Sequence, residues 1–135
     1  MLLLSVETET SIAPLRAVVL VVEDEVVVRN IVCTVLQREG HKVLAAANGL
    51  EALDVARRFS GRIDLLVSDV EMPELDGFSL VDRIRPERPD LRVLLMSGKL
   101  TTDVPGDKKH IPFLRKPFRS GEFLAKVRET LGHPS

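Results

Sequence analysis

Ile63-Asp64-Leu65-Leu66-Val67-Ser68-Asp69 runs directly into Val70-Glu71-Met72-Pro73-Glu74-Leu75-Asp76-Gly77. Leu65 to Val67 is an apolar run of the kind that forms a buried strand. The run stops at Asp69, and the acids, proline and glycine that follow turn the chain. Packing does not call for a carboxylate at the tip of a buried strand. Open α/β sheets place their ligand crevice at that position. Asp69 is therefore the candidate reactive residue.

Reading outward from this stretch, strands and helices alternate. Asp76-Gly77 opens a helix carrying Phe78, Leu80, Val81 and Ile84, and Pro86 stops it. Upstream, Ala17 to Val22 is a β-branched run that fits a strand buried on both faces. Glu23-Asp24-Glu25 ends that strand. The next segment places Val28, Ile31, Val32, Val35 and Leu36 at helical spacing, and all five are expected to face the core. Val26 and Val27 fall off this stripe beside the acidic turn. Lys42 to Ala46 is a second strand, and Asn48 with Glu51 gives a capping-box-like start to a helix over Ala52, Leu53, Ala56 and Phe59.

Downstream, Leu91 to Met96 is a fourth strand ending in Ser97-Gly98-Lys99, and Ile111 to Arg115 is a short fifth ending in Lys116-Pro117-Phe118. Ser120 is the expected cap of a last helix with Phe123, Leu124, Val127 and Leu131 inward. Between these two strands, residues 98–110 hold only Leu100 and Val104 as an apolar pair at helical spacing, and Pro105-Gly106 breaks it. A shortened or irregular fourth helix is expected there, with Asp107-Lys108-Lys109-His110 as a solvated loop. Alternation of this kind argues for a parallel sheet with helices on both faces and all strand carboxyl ends on one edge.

The chain has 135 residues, 44% hydrophobic and 29% charged, with formal net charge -1. That suits one soluble domain and gives no overall basic signal for nucleic acid or anionic membrane. Residues 1–15 read as an N-terminal extension and residues 16–135 as the folded domain. Cys33 is the single cysteine. It excludes an intrachain disulfide, fits a helix position better than a nucleophile, and points to a reducing cytoplasm.

Glu23, Asp24, Asp69, Ser97 and Lys116 converge on the carboxyl edge. Three crowded carboxylates repel one another, and a hard divalent cation removes the repulsion. Magnesium is the expected cofactor, with Asp24 and Asp69 as direct ligands, Glu23 direct or through water, and the backbone carbonyl of Glu71 within reach. Magnesium together with Lys116 would make the pocket a receptor for a phosphoryl group. The ionised Asp69 can then attack phosphorus to form an acyl phosphate. The Ser97 hydroxyl can bond a phosphoryl oxygen.

Val21-Val22-Glu23-Asp24-Glu25, Ser68 through Gly77, Met96-Ser97-Gly98-Lys99 and Lys116-Pro117-Phe118, in this order, resemble the motifs of a response-regulator receiver domain of two-component signalling, of the chemotaxis-regulator kind. The resemblance covers roughly Arg16 to Gly132. It implies a flavodoxin-like doubly wound sheet of strand order 2-1-3-4-5. It also implies Asp69 as phosphoacceptor, Glu23 and Asp24 as the acidic pair, Ser97 and Phe113 as switch residues, Lys116 as the family's lysine, and a cis Lys116–Pro117 bond. The implied donor is a phosphohistidine on a histidine kinase or a histidine phosphotransfer protein. The downstream target is an unspecified protein, with no direct nucleic-acid or membrane contact. Such a domain is not an enzyme beyond self-catalysed phosphotransfer and autodephosphorylation. A flavodoxin would need a hydroxyl- and glycine-rich phosphate loop after the first strand, and an aspartyl-phosphate phosphatase an Asp-x-Asp there; neither is present. The alternative reading is a degenerate receiver acting as a protein-interaction module without phosphorylation.

Overall fold

The structure is a computed structural model that describes residues 16–99 and 103–132. The expected extension over residues 1–15 lies outside the described residues, as do Leu100, Thr101 and Thr102. Five strands, β1 (Val18–Val22), β2 (Lys42–Ala46), β3 (Leu65–Asp69), β4 (Arg92–Ser97) and β5 (Phe113–Arg115), form one parallel sheet in the order β2-β1-β3-β4-β5. Helices α1 (Val26–Arg38), α2 (Gly49–Arg58), α3 (Gly77–Ile84) and α4 (Ser120–Thr130) cover it. This is the flavodoxin-like architecture the sequence implies.

The period-2 alternation of each strand splits the core into two layers. Leu20, Val22, Leu66 and Leu95 face Ala52, Leu53, Leu80 and Ile84 of α2 and α3. Val19, Val21, Val67 and Met96 face Val32, Leu36, Phe123 and Val127 of α1 and α4. Burial on both sides explains why the strands read as unbroken apolar runs. Asp64 Oδ2 accepts from Val18 N at 2.8 Å, tying the entry of β3 to the start of β1.

Three local expectations are corrected. Ile31 does not face the core: it is 56% exposed, while Val32 and Leu36 are buried and Val28 and Val35 are half-buried. Ser120 is the first residue of α4 and not its cap; Glu122 instead accepts from the Arg119 backbone N–H at 2.9 Å. The segment 107–110 is not wholly solvated. Lys108 is only 6% exposed, and its Nζ lies 2.8 Å from both Asp82 and Asp107. Among the described residues, the crossover from β4 to β5 carries one 3-10 turn, Gly106–Lys108, in place of a helix. The expectation of a short or irregular element there holds.

Glu74 has φ +70, a left-handed conformation that costs a residue with a Cβ about 1 kcal/mol. Replacing Glu74 with glycine should raise unfolding stability by on the order of 1 kcal/mol, and Glu74→Val should lower it. Urea denaturation measures both. Equal midpoints for the glycine and valine variants would remove strain as the reason.

Candidate functional site

The parallel register carries the chemistry to one edge. Val22 pairs with Ser68, Asp69 with Met96, and Ser97 with Arg115, so the residues at or just past these ends sit together. Asp69 closes β3 and is 5% exposed. The loop after it turns back tightly. Gly77 N donates to the Val70 carbonyl at 2.9 Å, and a Cβ on Gly77 would lie 2.6 Å from the Asp69 carbonyl oxygen. Only glycine allows that approach, which fixes the backbone under Asp69. Asp76 then caps α3 by accepting from Ser79 N at 2.8 Å.

Glu23 is fully buried just past β1. Its Oε2 accepts from Glu25 N at 3.1 Å and its Oε1 from Lys116 Nζ at 2.8 Å. Arg29 Nη1 donates to the Glu23 carbonyl at 2.8 Å, holding α1 against the acidic turn. Lys116 leaves β5 through a cis bond to Pro117, while its backbone N–H donates to the Ser97 carbonyl at 2.8 Å. Phe118 stacks on Phe123 of α4 at 5.4 Å, anchoring the turn.

Lys116 Nζ also lies 3.2 Å from Asp69 Oδ1. That approach is an ion-pair contact off the hydrogen-bonding direction. Asp69 Oδ1 is buried and has no hydrogen-bond partner among the described residues. Burial, and next the charge of Glu23, push the Asp69 carboxyl up to about 6; Lys116 opposes them, and Glu71 adds a smaller upward push. Burial works against the Lys116 ammonium, but the bond to Glu23 and the charges of Asp69 and Glu23 outweigh it, so Lys116 is held above its ordinary value.

Glu23, the exposed Asp24 and Asp69 each bring a carboxylate oxygen to within 4.8 Å of the others. An all-oxygen donor set with an orphaned buried Oδ1 fits a hard divalent cation, because the cation satisfies both the lone pair and the surplus charge.

Ser97 is fully buried at the end of β4, and its hydroxyl lies 2.8 Å from both carboxylate oxygens of Glu71 while its Oγ accepts from Lys99 N at 3.2 Å. The Glu71 side chain is the site residue that sequence reasoning missed; only its carbonyl was assigned. Its position two residues past Asp69 was the available signal. Phe113 lies half-buried on β5, packed on the same core layer as Phe78 and Ile111. Cys33 lies half-buried within α1, and burial pushes its thiol up, as suits an inert helix residue.

Residues 19–128 match the response regulator receiver domain. The chain belongs to that family. It is 40% identical over 119 residues, 85% of its length, to the sensor kinase CckA of Brucella abortus, but spans only 12% of that protein. It is 30% identical to sporulation initiation phosphotransferase F of Bacillus subtilis, covering 84% of this chain and 92% of that one. Among solved structures it is similar to the response regulator TrrA from Thermotoga maritima in complex with magnesium and beryllium fluoride. That match has a TM-score of 0.73 and 30% identity, and covers 84% of this chain and 98% of that one. Phosphorylation and magnesium binding are general to the receiver family. Among the described residues, no helix is long and apolar enough to cross a membrane.

The raised Asp69 carboxyl predicts a pH dependence. Without metal, the folded protein keeps a proton on Asp69 up to about 6, whereas the unfolded chain releases it near 3.8. Between these values the folded state binds more protons, so this group's contribution to stability falls as pH rises. Asp69→Asn should match the parent near pH 3.5 and exceed it above pH 6.5 by on the order of 1–2 kcal/mol, allowing for solvent screening. Urea unfolding of both proteins in chelator measures this. A stability difference that stays constant across that range would contradict it.

Proposed function

We propose that the chain is an active phosphoacceptor of a two-component phosphorelay. In this reading it takes a phosphoryl group from a histidine kinase or histidine phosphotransfer protein onto Asp69 and changes conformation in response. The observation that carries this is the Asp69 carboxylate, buried at a strand tip with its Oδ1 held, among the described residues, only by ion-pair contact with the Lys116 ammonium, and flanked by the carboxylates of Glu23 and Asp24. A binding module without phosphorylation would not need this full set. The receiver runs from residue 16 to 135 in this reading, after an extension over residues 1–15, and works in the cytoplasm.

Glu23, Asp24, Asp69 and the Glu71 carbonyl would hold magnesium. When bound, magnesium supplies the positive charge that lets a carboxylate and a phosphoryl group meet. An Asp69 oxygen attacks phosphorus, the phosphorus–imidazole nitrogen bond of the donor breaks, and the imidazole keeps the electron pair and takes a proton from solvent. Lys116, already 3.2 Å from Asp69, neutralises charge on the phosphoryl oxygens. Ser97 donates its hydroxyl to one of them, and Phe113 moves inward toward the space this opens. The same groups hold the acyl phosphate until water hydrolyses it.

The donor must reach Asp69 over the rim formed by the start of α1. Val26 is 56%, Val27 70% and Ile31 56% exposed there. Ile31 extends the apolar spot beyond Val26 and Val27, the two valines that fall off the core stripe. Such area contributes roughly 25 cal/mol per Å² when a partner covers it.

A small-molecule phosphodonor with magnesium should produce a phosphorylated band on a phosphate-affinity gel. The band should vanish with chelator and in Asp69→Asn; equal yield in that variant would move the acceptor elsewhere. Replacing Val26 and Val27 with aspartate should slow transfer from the kinase at least tenfold, the cost of about 1.4 kcal/mol of lost contact, and spare modification by the small donor. Equal loss on both routes would place the damage in the site itself.

A further inference from the structure

The Ser97 hydroxyl has one proton, and that proton is already directed at an anion. Both oxygens of Glu71 lie 2.8 Å from Ser97 Oγ, so the donor is engaged in a charge-assisted bond, the stronger kind. Ser97 is fully buried, which strengthens the bond further. The backbone below Glu71 has little freedom. Gly77 is pressed against the Asp69 carbonyl, and Gly77 N is bonded to the Val70 carbonyl. The Glu71 side chain is half-buried and borders an open cleft of about 620 Å³ lined also by Met72, Asp76, Lys99 and Asp103. A released carboxylate can swing into that cleft toward water.

We infer that the Glu71 carboxylate is a latch on Ser97: it holds the hydroxyl in the unphosphorylated protein and must release it before Ser97 bonds a phosphoryl oxygen. Glu71 is thus a positioning residue that acts through Ser97 and sets how readily the site closes. This rests on the reading of Asp69 as phosphoacceptor. The two bonds are mutually exclusive because the hydroxyl has one proton to give. A phosphoryl group brings negative charge next to Glu71, which favours departure of the carboxylate as Ser97 turns. The switch is therefore an exchange of one anionic acceptor for another. Its set point depends on their difference, not on the strength of the new bond alone.

A plain charge effect of Glu71 would act whether or not residue 97 has a hydroxyl, whereas the latch requires it. The test is a double-mutant cycle on the full chain, with magnesium and beryllium fluoride as the probe and the dissociation constant read by titration. Glu71→Ala should tighten probe binding about tenfold more in the Ser97 protein than in the Ser97→Ala protein. Glu71→Gln, which keeps a neutral acceptor, should give a smaller coupling. Effects of Glu71→Ala that agree within about twofold in the two backgrounds would overturn the latch and leave the phosphoacceptor reading intact. Absence of binding in all four proteins of the cycle would overturn that reading, and the latch with it.

Discussion

The Lys116 ammonium, 2.8 Å from Glu23 and 3.2 Å from Asp69, is the contact on which the rest of the edge depends. Two carboxylates removed from water and set side by side repel one another. One cation between them makes the arrangement tolerable without neutralising it fully. The position of Lys116 follows from the sheet. β5 has three residues, and the backbone bond from Lys116 N to the Ser97 carbonyl extends its pairing just far enough to aim the side chain inward. The Phe118–Phe123 stack fixes the following turn to α4. An edge strand this short gains little from its own ladder, so the ion pair and the stack help to seat it.

Two negative charges against one positive leave a deficit, and Asp24 at the rim enlarges it. The deficit is the physical link between fold and proposed chemistry. A site balanced in charge would give a divalent cation no advantage. A site with carboxylates alone would repel a phosphoryl group. The orphaned Oδ1 of Asp69 and the upward push on its carboxyl express the same tension, a local cost carried by a well-packed sheet.

How much of this was legible in the sequence depended on the range of the interaction. The five strands and the convergence of Glu23, Asp24, Asp69, Ser97 and Lys116 could be read because each follows from a local apolar run and what ends it. Ile31 could not be placed the same way. Val28, Ile31, Val32, Val35 and Leu36 span more of the helix circumference than a sheet covers, and the sequence does not say where the contact is centred. The structure centres it on Val32 and Leu36, leaving Ile31 outside. Lys108 reads as a solvated charge because its partner Asp82 lies on α3, brought near only by the completed fold. The role of Glu122 at Arg119 was obscured by the better cap-former next to it, Ser120. The bond from Ser97 to Glu71 joins residues 26 apart on different strands' ends, and no spacing rule announces it.

Lys108 also bears on how the chain manages without a helix between β4 and β5 among the described residues. A helix there would cover the sheet with an apolar stripe. This segment instead offers half-buried Val104 and buried Ile111, a single 3-10 turn, and a lysine whose stem is buried while its ammonium joins Asp82 to Asp107. A long side chain can cover apolar surface with its methylenes and still satisfy its charge at the rim. The crossover is thereby tied to α3, the helix that begins immediately after the loop carrying Glu71. The loop past Asp69 and the crossover past Ser97 consequently share one support.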